Sequence, residues 1–323
     1  MTSELRPLGN SGITVPVVGV GCNAFGTRID VDQTRAVVDA AIENGVAFFD
    51  TADAYGLGES EELLGRALAG RRDEAVVATK FGMDMQGRSG DDHGRRGSAA
   101  YVRSAAEASL RRLGIDHIDL YQLHTPDPLT PIEETLGALS ELVGEGKVRA
   151  IGCSNLQAWQ LVDAAWTSKT GHLESFVTAQ NEYSLYNRTA EVELTPACLA
   201  LGVGILPYFP LAYGLLTGKY GRDVPAPSGS RLEAQAQRLA DADWDRIDAL
   251  QAFAVERNIS VLELAIGGLA EQPGVASVIA GATRPEQVEA NAAAGRWMPS
   301  EDDLDDLAEI GRPEQSYTTF AGN

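Results

Sequence analysis

Short apolar runs alternate along this chain with longer stretches in which apolar residues recur every three or four positions. The first pattern suits strands buried on both faces, and the second suits amphipathic helices packed over them. Eight runs read as strands: VVGVG (17–21), AFFDT (47–51), AVVATK (75–80), IDLYQLH (118–124), VRAIGCS (148–154), FVTAQ (176–180), VGILPY (203–208) and SVIAG (277–281). Helix signals fall between them. Thr130-Pro131-Ile132-Glu133 and Ser260-Val261-Leu262-Glu263 both spell capping boxes, the first with proline at the opening helical position. Pro285-Glu286 starts another helix, and Ser60 with Glu61 and Glu62 starts one after the second strand. Gly45, Gly114 and Gly202 stand where helices should end in a left-handed residue. Ahead of the first strand, LRPLGNSGITVP reads as a small hairpin turning at residues 9–12.

Eight strands alternating with helices over 323 residues predict an α/β fold, a (β/α)8 TIM barrel with an N-terminal β-hairpin. A doubly wound open sheet is the competing architecture, which strand counting does not separate from the barrel. No linker, low-complexity tract or internal repeat divides the chain, so residues 1–323 are expected to form one domain. Two long βα loops, 82–98 and 220–239, follow strands three and seven. Both leave C-terminal strand ends, the catalytic face of a barrel.

Composition narrows the function. The formal net charge of −20 repels phosphate backbones and anionic lipid, so neither nucleic acid nor a membrane surface is an expected partner. Three scattered cysteines, Cys22, Cys153 and Cys198, form no CxxC pair, which argues for a reducing compartment and against a zinc site. No metal ligand set is predicted. The first residues carry no basic-then-apolar leader, and no apolar run approaches ~18 residues, so a cytoplasmic location is expected.

Two phosphate-site motifs fail in context. GVGCNA (19–24) matches a dinucleotide fingerprint, but FGTRIDVDQT does not continue as a helix, and no second strand ends on an acidic residue about 20 positions on. GLLTGKY (214–220) is one residue short of a P-loop and has Tyr220 where magnesium needs a hydroxyl of Ser or Thr. Small residues ahead of Lys219 still suit a pyrophosphate, which needs backbone N–H groups and an ammonium.

Four ionisable residues lie at or just past three consecutive strand ends: Asp50, Tyr55, Lys80 and His124. Singly, each has an ordinary structural reading as a cap, a packing aromatic or a solvated cation. On a barrel rim they converge. An ammonium beside a phenol stabilises phenolate, so Lys80 would bring Tyr55 toward a working pKa while Asp50 orients Lys80. His124 would hydrogen-bond the reacting oxygen. Such donors suit a carbonyl oxygen gaining negative charge as hydride arrives. No side chain supplies hydride, so a nicotinamide cofactor is required.

At these residues the chain resembles the aldo-keto reductases along nearly its whole length. FDTADAYGLGESEELLGRAL is similar to the family's first signature, VVATKFG to its lysine strand, and LYQLHTPDP to its histidine strand. The resemblance implies Asp50, Tyr55, Lys80 and His124 as the catalytic set. It implies a cofactor cleft beginning at Gly21, Cys22 and Asp50, with Ser154, Asn155 (in IGCSN) and Gln180 at the nicotinamide carboxamide. In YFPLAYGLLTGKY, Tyr208 would stack on the ring, followed by Phe209, Pro210, Leu211, Ala212, Gly214 and Lys219 toward the pyrophosphate. Arg231 would fold over the cofactor, with Gly281, Thr283, Gln287 and Asn291 around the adenosine.

Departures from the family pattern qualify the substrate. Phe209 stands where members commonly have Ser, Asn23 where a bulky residue is common, and Thr125 where aldose-type members have Trp. Phe25, Met83, Thr125 and Tyr213, with Tyr55 and His124, are the candidate substrate contacts. Arg95-Arg96 fit a polar substrate such as a sugar, and a solvated loop equally well. The positions that often carry a cation for a 2′-phosphate are Gly281, Thr283 and Gln287, but Arg284 is adjacent. NADP(H) is therefore favoured and NAD(H) remains open.

The expected function is NAD(P)(H)-dependent hydride transfer on a small aldehyde, ketone, alcohol or sugar, in either direction. The alternative is a cofactor-binding regulatory subunit, as in the potassium-channel β branch of the same family, whose members can carry Asn at the position of His124. Oligomeric state is not legible.

Overall fold

The computed structural model describes residues 4–228 and 232–313. A short antiparallel hairpin comes first, β1 (Leu5–Pro7) and β2 (Thr14–Pro16). Eight parallel strands follow: β3 (Val18–Gly21), β4 (Phe48–Asp50), β5 (Val76–Phe81), β6 (Ile118–Leu123), β7 (Val148–Ser154), β8 (Thr178–Gln180), β9 (Gly204–Ile205) and β10 (Val278–Gly281). All eight sequence-predicted strands form, and they pair in the order β10-β3-β4-β5-β6-β7-β8-β9. The sheet closes on itself. Ile205 donates its N–H to Gly274 at 2.8 Å and accepts from Ala276 at 2.9 Å, and Ile279 donates to Pro207 at 2.9 Å. That makes the fold a (β/α)8 barrel rather than an open sheet.

The two-residue period of each strand sorts the barrel interior into layers. Phe48, Ala78, Leu120 and Ala150 form a lower apolar layer. Two residues further on stand Asp50, Lys80, Gln122 and Gly152. Neighbouring residues of opposite parity, Phe49, Val77, Tyr121 and Ile151, belong to the outer core instead. The hairpin packs Leu8, Ile13 and Val15 against the lower layer, plugging the bottom of the barrel. Gly152 is glycine for want of space: a Cβ there would lie 3.1 Å from Gln122 Cγ and closer still to the Thr178 hydroxyl.

Helix ends follow the sequence with two exceptions. Gly45, Gly114 and Gly202 all take positive φ, at 70°, 65° and 68°. The Ser260 capping box forms, with Glu263 N–H donating to Ser260 Oγ at 3.1 Å. The Thr130 box does not. Pro131 is extended (ψ 136°), the helix begins at Ile132, and the Thr130 hydroxyl donates to Asp127 instead at 2.6 Å. Ser60 is not a cap either: the helix Glu59–Ala67 begins before it, and its hydroxyl reaches Cys22 O (2.9 Å) and Thr51 Oγ1 (2.8 Å). No helix among the described residues is long and apolar enough to cross a membrane.

Candidate active site

Asp50 and Lys80 occupy the polar layer at the C-terminal ends of β4 and β5. Lys80 Nζ donates to Asp50 Oδ2 at 2.7 Å, to Thr51 O at 2.9 Å and to Tyr55 OH at 3.3 Å. Asp50 Oδ1 accepts from Gln122 Nε2 (3.1 Å) and Gln180 Nε2 (2.9 Å), so both carboxylate oxygens are partnered. The His124 ring meets the Tyr55 ring edge-on, centroids 5.7 Å apart. The four residues singled out from the sequence thus form one contiguous set on the barrel rim.

The electrostatics differ from the sequence expectation at one point. Burial opposes the Lys80 charge, but Asp50 and then Tyr55 outweigh it and hold its pKa above the ordinary value. Lys80 stays an ammonium. Burial raises the Tyr55 phenol; Lys80 draws it down, but Asp50 pushes it up again and the balance stays high. Lys80 therefore does not bring Tyr55 toward neutral pH here, because losing water around a buried phenolate costs more than an ammonium already neutralised by Asp50 returns. Burial, then Lys80, push His124 down to about 3. Its imidazole is neutral at physiological pH, an N–H donor without formal charge.

Asp50, Tyr55 and His124 floor one end of a cleft of about 1270 Å³, with Lys80 wholly buried outside its lining; the volume is beyond the ~300–1,000 Å³ usual for small-ligand sites. Gly21, Cys22, Asp50, Ser154, Asn155, Gln180, Tyr208, Phe209, Pro210, Leu211, Gly214, Lys219, Gly281, Thr283 and Gln287 all line it. Ala212 instead faces a neighbouring cavity of about 960 Å³, and Asn291 is buried outside the cleft wall. Arg231 lies outside the described residues. Tyr55, Met83, His124, Thr125 and Tyr213 line the cleft as candidate substrate contacts. Phe25 does not: the turn in which its N–H bonds Cys22 O folds its ring wholly into the core.

Asn155 ties the cleft wall together. Its left-handed backbone (φ 60°) follows β7, its Nδ2 donates to His124 O at 2.9 Å, and its Oδ1 accepts from Tyr208 OH at 2.7 Å. Gln122 was missed from the sequence. The available signal was position: it sits two residues before His124 and pairs in register with Lys80. Arg28 and Gln33 also line the cleft, and nothing in their loop-and-helix context marked them.

Residues 17–312 match the profile of the Aldo/keto reductase family. The chain belongs to that family. Among curated relatives, an aldo/keto reductase of Glycine max, "Probable aldo-keto reductase 1", is 36% identical over 95% of this chain and 89% of its own. "Aldo-keto reductase YhdN" of Bacillus subtilis is 33% identical over 95% and 93%. "Probable voltage-gated potassium channel subunit beta" of Oryza sativa is 34% identical over 89% and 90%. The solved aldo-keto reductase AKR11C1 of Bacillus halodurans, in its holo form, superposes with a TM-score of 0.79 at 31% identity, covering 95% of this chain and 96% of that one. As an aldo/keto reductase, the protein is an oxidoreductase.

Proposed function

We propose that this aldo/keto reductase transfers hydride between a nicotinamide cofactor and the carbonyl or alcohol carbon of a small aldehyde, ketone or sugar, with Tyr55 exchanging the proton. One observation carries this reading: a buried ammonium, Lys80, is held by Asp50 and hydrogen-bonded to the Tyr55 hydroxyl beside a neutral His124. Tyr55 and His124 would donate to the substrate oxygen, where negative charge develops. A phenol that stays protonated supports the reductive direction, with Tyr55 as acid.

The cleft fits a dinucleotide. Gly21 and Gly281 pair across β3 and β10, leaving bare backbone on the wall. The Tyr208 ring, fixed by Asn155, offers a flat face for a nicotinamide, while Lys219, Arg28 and Arg284 line the same cleft and suit phosphates. The bound nicotinamide supplies or accepts the hydride. Ser154, Asn155 and Gln180 would orient it. Arg284 and Arg28 support NADP(H), with NAD(H) the second choice. Three free, buried thiols support a cytoplasmic setting.

The decisive measurement is turnover of a panel of aldehydes, ketones and sugars with NADPH and NADH, with Tyr55→Phe as control. Turnover abolished in Tyr55→Phe while cofactor binding persists is the expected result. Cofactor binding without turnover of any substrate by the wild type would instead favour a regulatory subunit.

A further inference from the structure

We propose that Arg112, on the outer helix Ala99–Leu113, is a positioning residue for Tyr55: it locks the left-handed turn that follows Tyr55 to the strand that carries Lys80. This rests on the assignment of Tyr55 as the proton-exchanging group.

Three consecutive residues after Tyr55 have positive φ: Gly56 (60°), Leu57 (54°) and Gly58 (101°). Leu57 is the costly one, since a left-handed leucine persists only where its surroundings over-determine it. The Arg112 side chain lies directly on this turn; a Cβ on Gly58 would come within 2.6 Å of Arg112 Cδ and 2.9 Å of its Nε. The same Nε donates at 2.6 Å to Glu61 Oε2. Glu61 is wholly buried in the first turn of the helix that the Tyr55 segment leads into. Its other oxygen accepts from Thr79 Oγ1 at 2.6 Å, and Thr79 immediately precedes Lys80 on β5.

A closed mechanical path results, running Tyr55, Gly58, Arg112, Glu61, Thr79, Lys80 and back to the Tyr55 hydroxyl. Arg112 is the cation in it that touches both the turn and the buried carboxylate, yet it does not line the cleft. Its effect on chemistry is through geometry alone. A reacting group displaced by about 1 Å loses rate on the order of 10²-fold.

The test uses the full-length protein and three variants: Arg112→Met, Arg112→Lys, and the double variant Glu61→Gln/Arg112→Met, which leaves no buried charge unpaired. Turnover, KM, cofactor binding by fluorescence, thermal stability, and hydrogen exchange of residues 55–58 are compared. Arg112→Met should lower kcat about ten- to a hundredfold with cofactor affinity unchanged, and Arg112→Lys should recover part of it. The double variant should regain thermal stability while kcat stays low and exchange at 55–58 stays fast. Recovery of kcat together with stability in the double variant would reduce Arg112 to a structural role and overturn the proposal. If the wild type turns over no carbonyl substrate, the assigned reaction fails instead. The exchange rates still decide whether Arg112 locks the turn: unchanged protection in both Arg112→Met and the double variant overturns it.

Discussion

Lys80 Nζ and Asp50 Oδ2 are 2.7 Å apart at the centre of the barrel rim, with side-chain exposures of 0% and 3%. Neither charge reaches bulk water, so each depends on the other and on the amides and carbonyl around them. Such a pair contributes little net stability over an apolar substitute, but removing one member strands a buried charge. In the proposed reaction the pair acts by position: it fixes the ammonium that donates to the Tyr55 hydroxyl at 3.3 Å.

Lys80→Met should therefore destabilise the protein by about 3–5 kcal/mol and abolish turnover. Adding Asp50→Asn should restore much of the stability and none of the activity. Urea denaturation of the two variants checks this. A Lys80→Met protein as stable as the wild type would mean that Asp50 finds another partner on losing Lys80.

Asp53 lies buried in the loop between Asp50 and Tyr55. Burial, followed by the neighbouring Glu61 charge, raises its carboxyl to about 8, with Arg112 and Lys80 offsetting only part. The unfolded chain releases this proton near pH 4 and the folded chain holds it until about pH 8. Between those values the native state binds more protons, so this group makes stability fall as pH rises, by up to ~1.4 kcal/mol per unit, and level off above the folded pKa. Asp53→Asn removes the effect. Its stability relative to wild type should increase steadily from pH 5 to pH 8, as read from denaturant midpoints; a constant difference would show that Asp53 ionises normally.

The barrel was legible because parallel strands buried on both faces leave continuous apolar runs, and all eight runs became strands. The candidate cluster was legible because Asp50, Lys80 and His124 end three successive runs, which topology brings to one rim. Long-range packing was not. Phe25 looked like a cleft residue from its place after β3, but a local turn sends it inward. Ser60 has the residue type of a cap and is used as a strut between Cys22 and Thr51. The high phenol pKa of Tyr55 was also out of reach, since it depends on how much water the folded loop excludes. Glu61 reads as a helix-start acid and proves to be wholly buried, which no local pattern shows, since its partner Arg112 lies 51 residues away.

Below the usual histidine pKa of ~6.5, an unfolded chain binds a proton that native His124 refuses until about pH 3. The native state then holds fewer protons, so stability falls as pH drops from 6.5 toward 3. His124→Asn should lose less stability on acidification from pH 7 to pH 5 than the wild type does. NMR titration gives the direct check: the His124 imidazole, assigned by its absence in the variant, should stay neutral through pH 5. Titration near pH 6.5 would mean that the ring is solvated and free to charge.

Gly58 should tolerate no side chain. Its φ of 101° is a region that residues with a Cβ seldom adopt, and the added methyl would meet Arg112 Cδ at 2.6 Å. Arg112 has a flexible stem and can retreat, but doing so pulls its Nε away from Glu61, which is wholly buried. Gly58→Ala then combines backbone strain of about 1–3 kcal/mol with a weakened buried ion pair. Stability should fall by at least that strain, and kcat should fall more than KM rises, because the displaced turn carries Tyr55. Gly70 provides the control: its φ is also positive, at 80°, but a Cβ there meets nothing within 4 Å. Gly70→Ala should lose only the backbone component and keep full kcat. Equal losses in the two variants would assign the whole effect to φ and none to contact with Arg112.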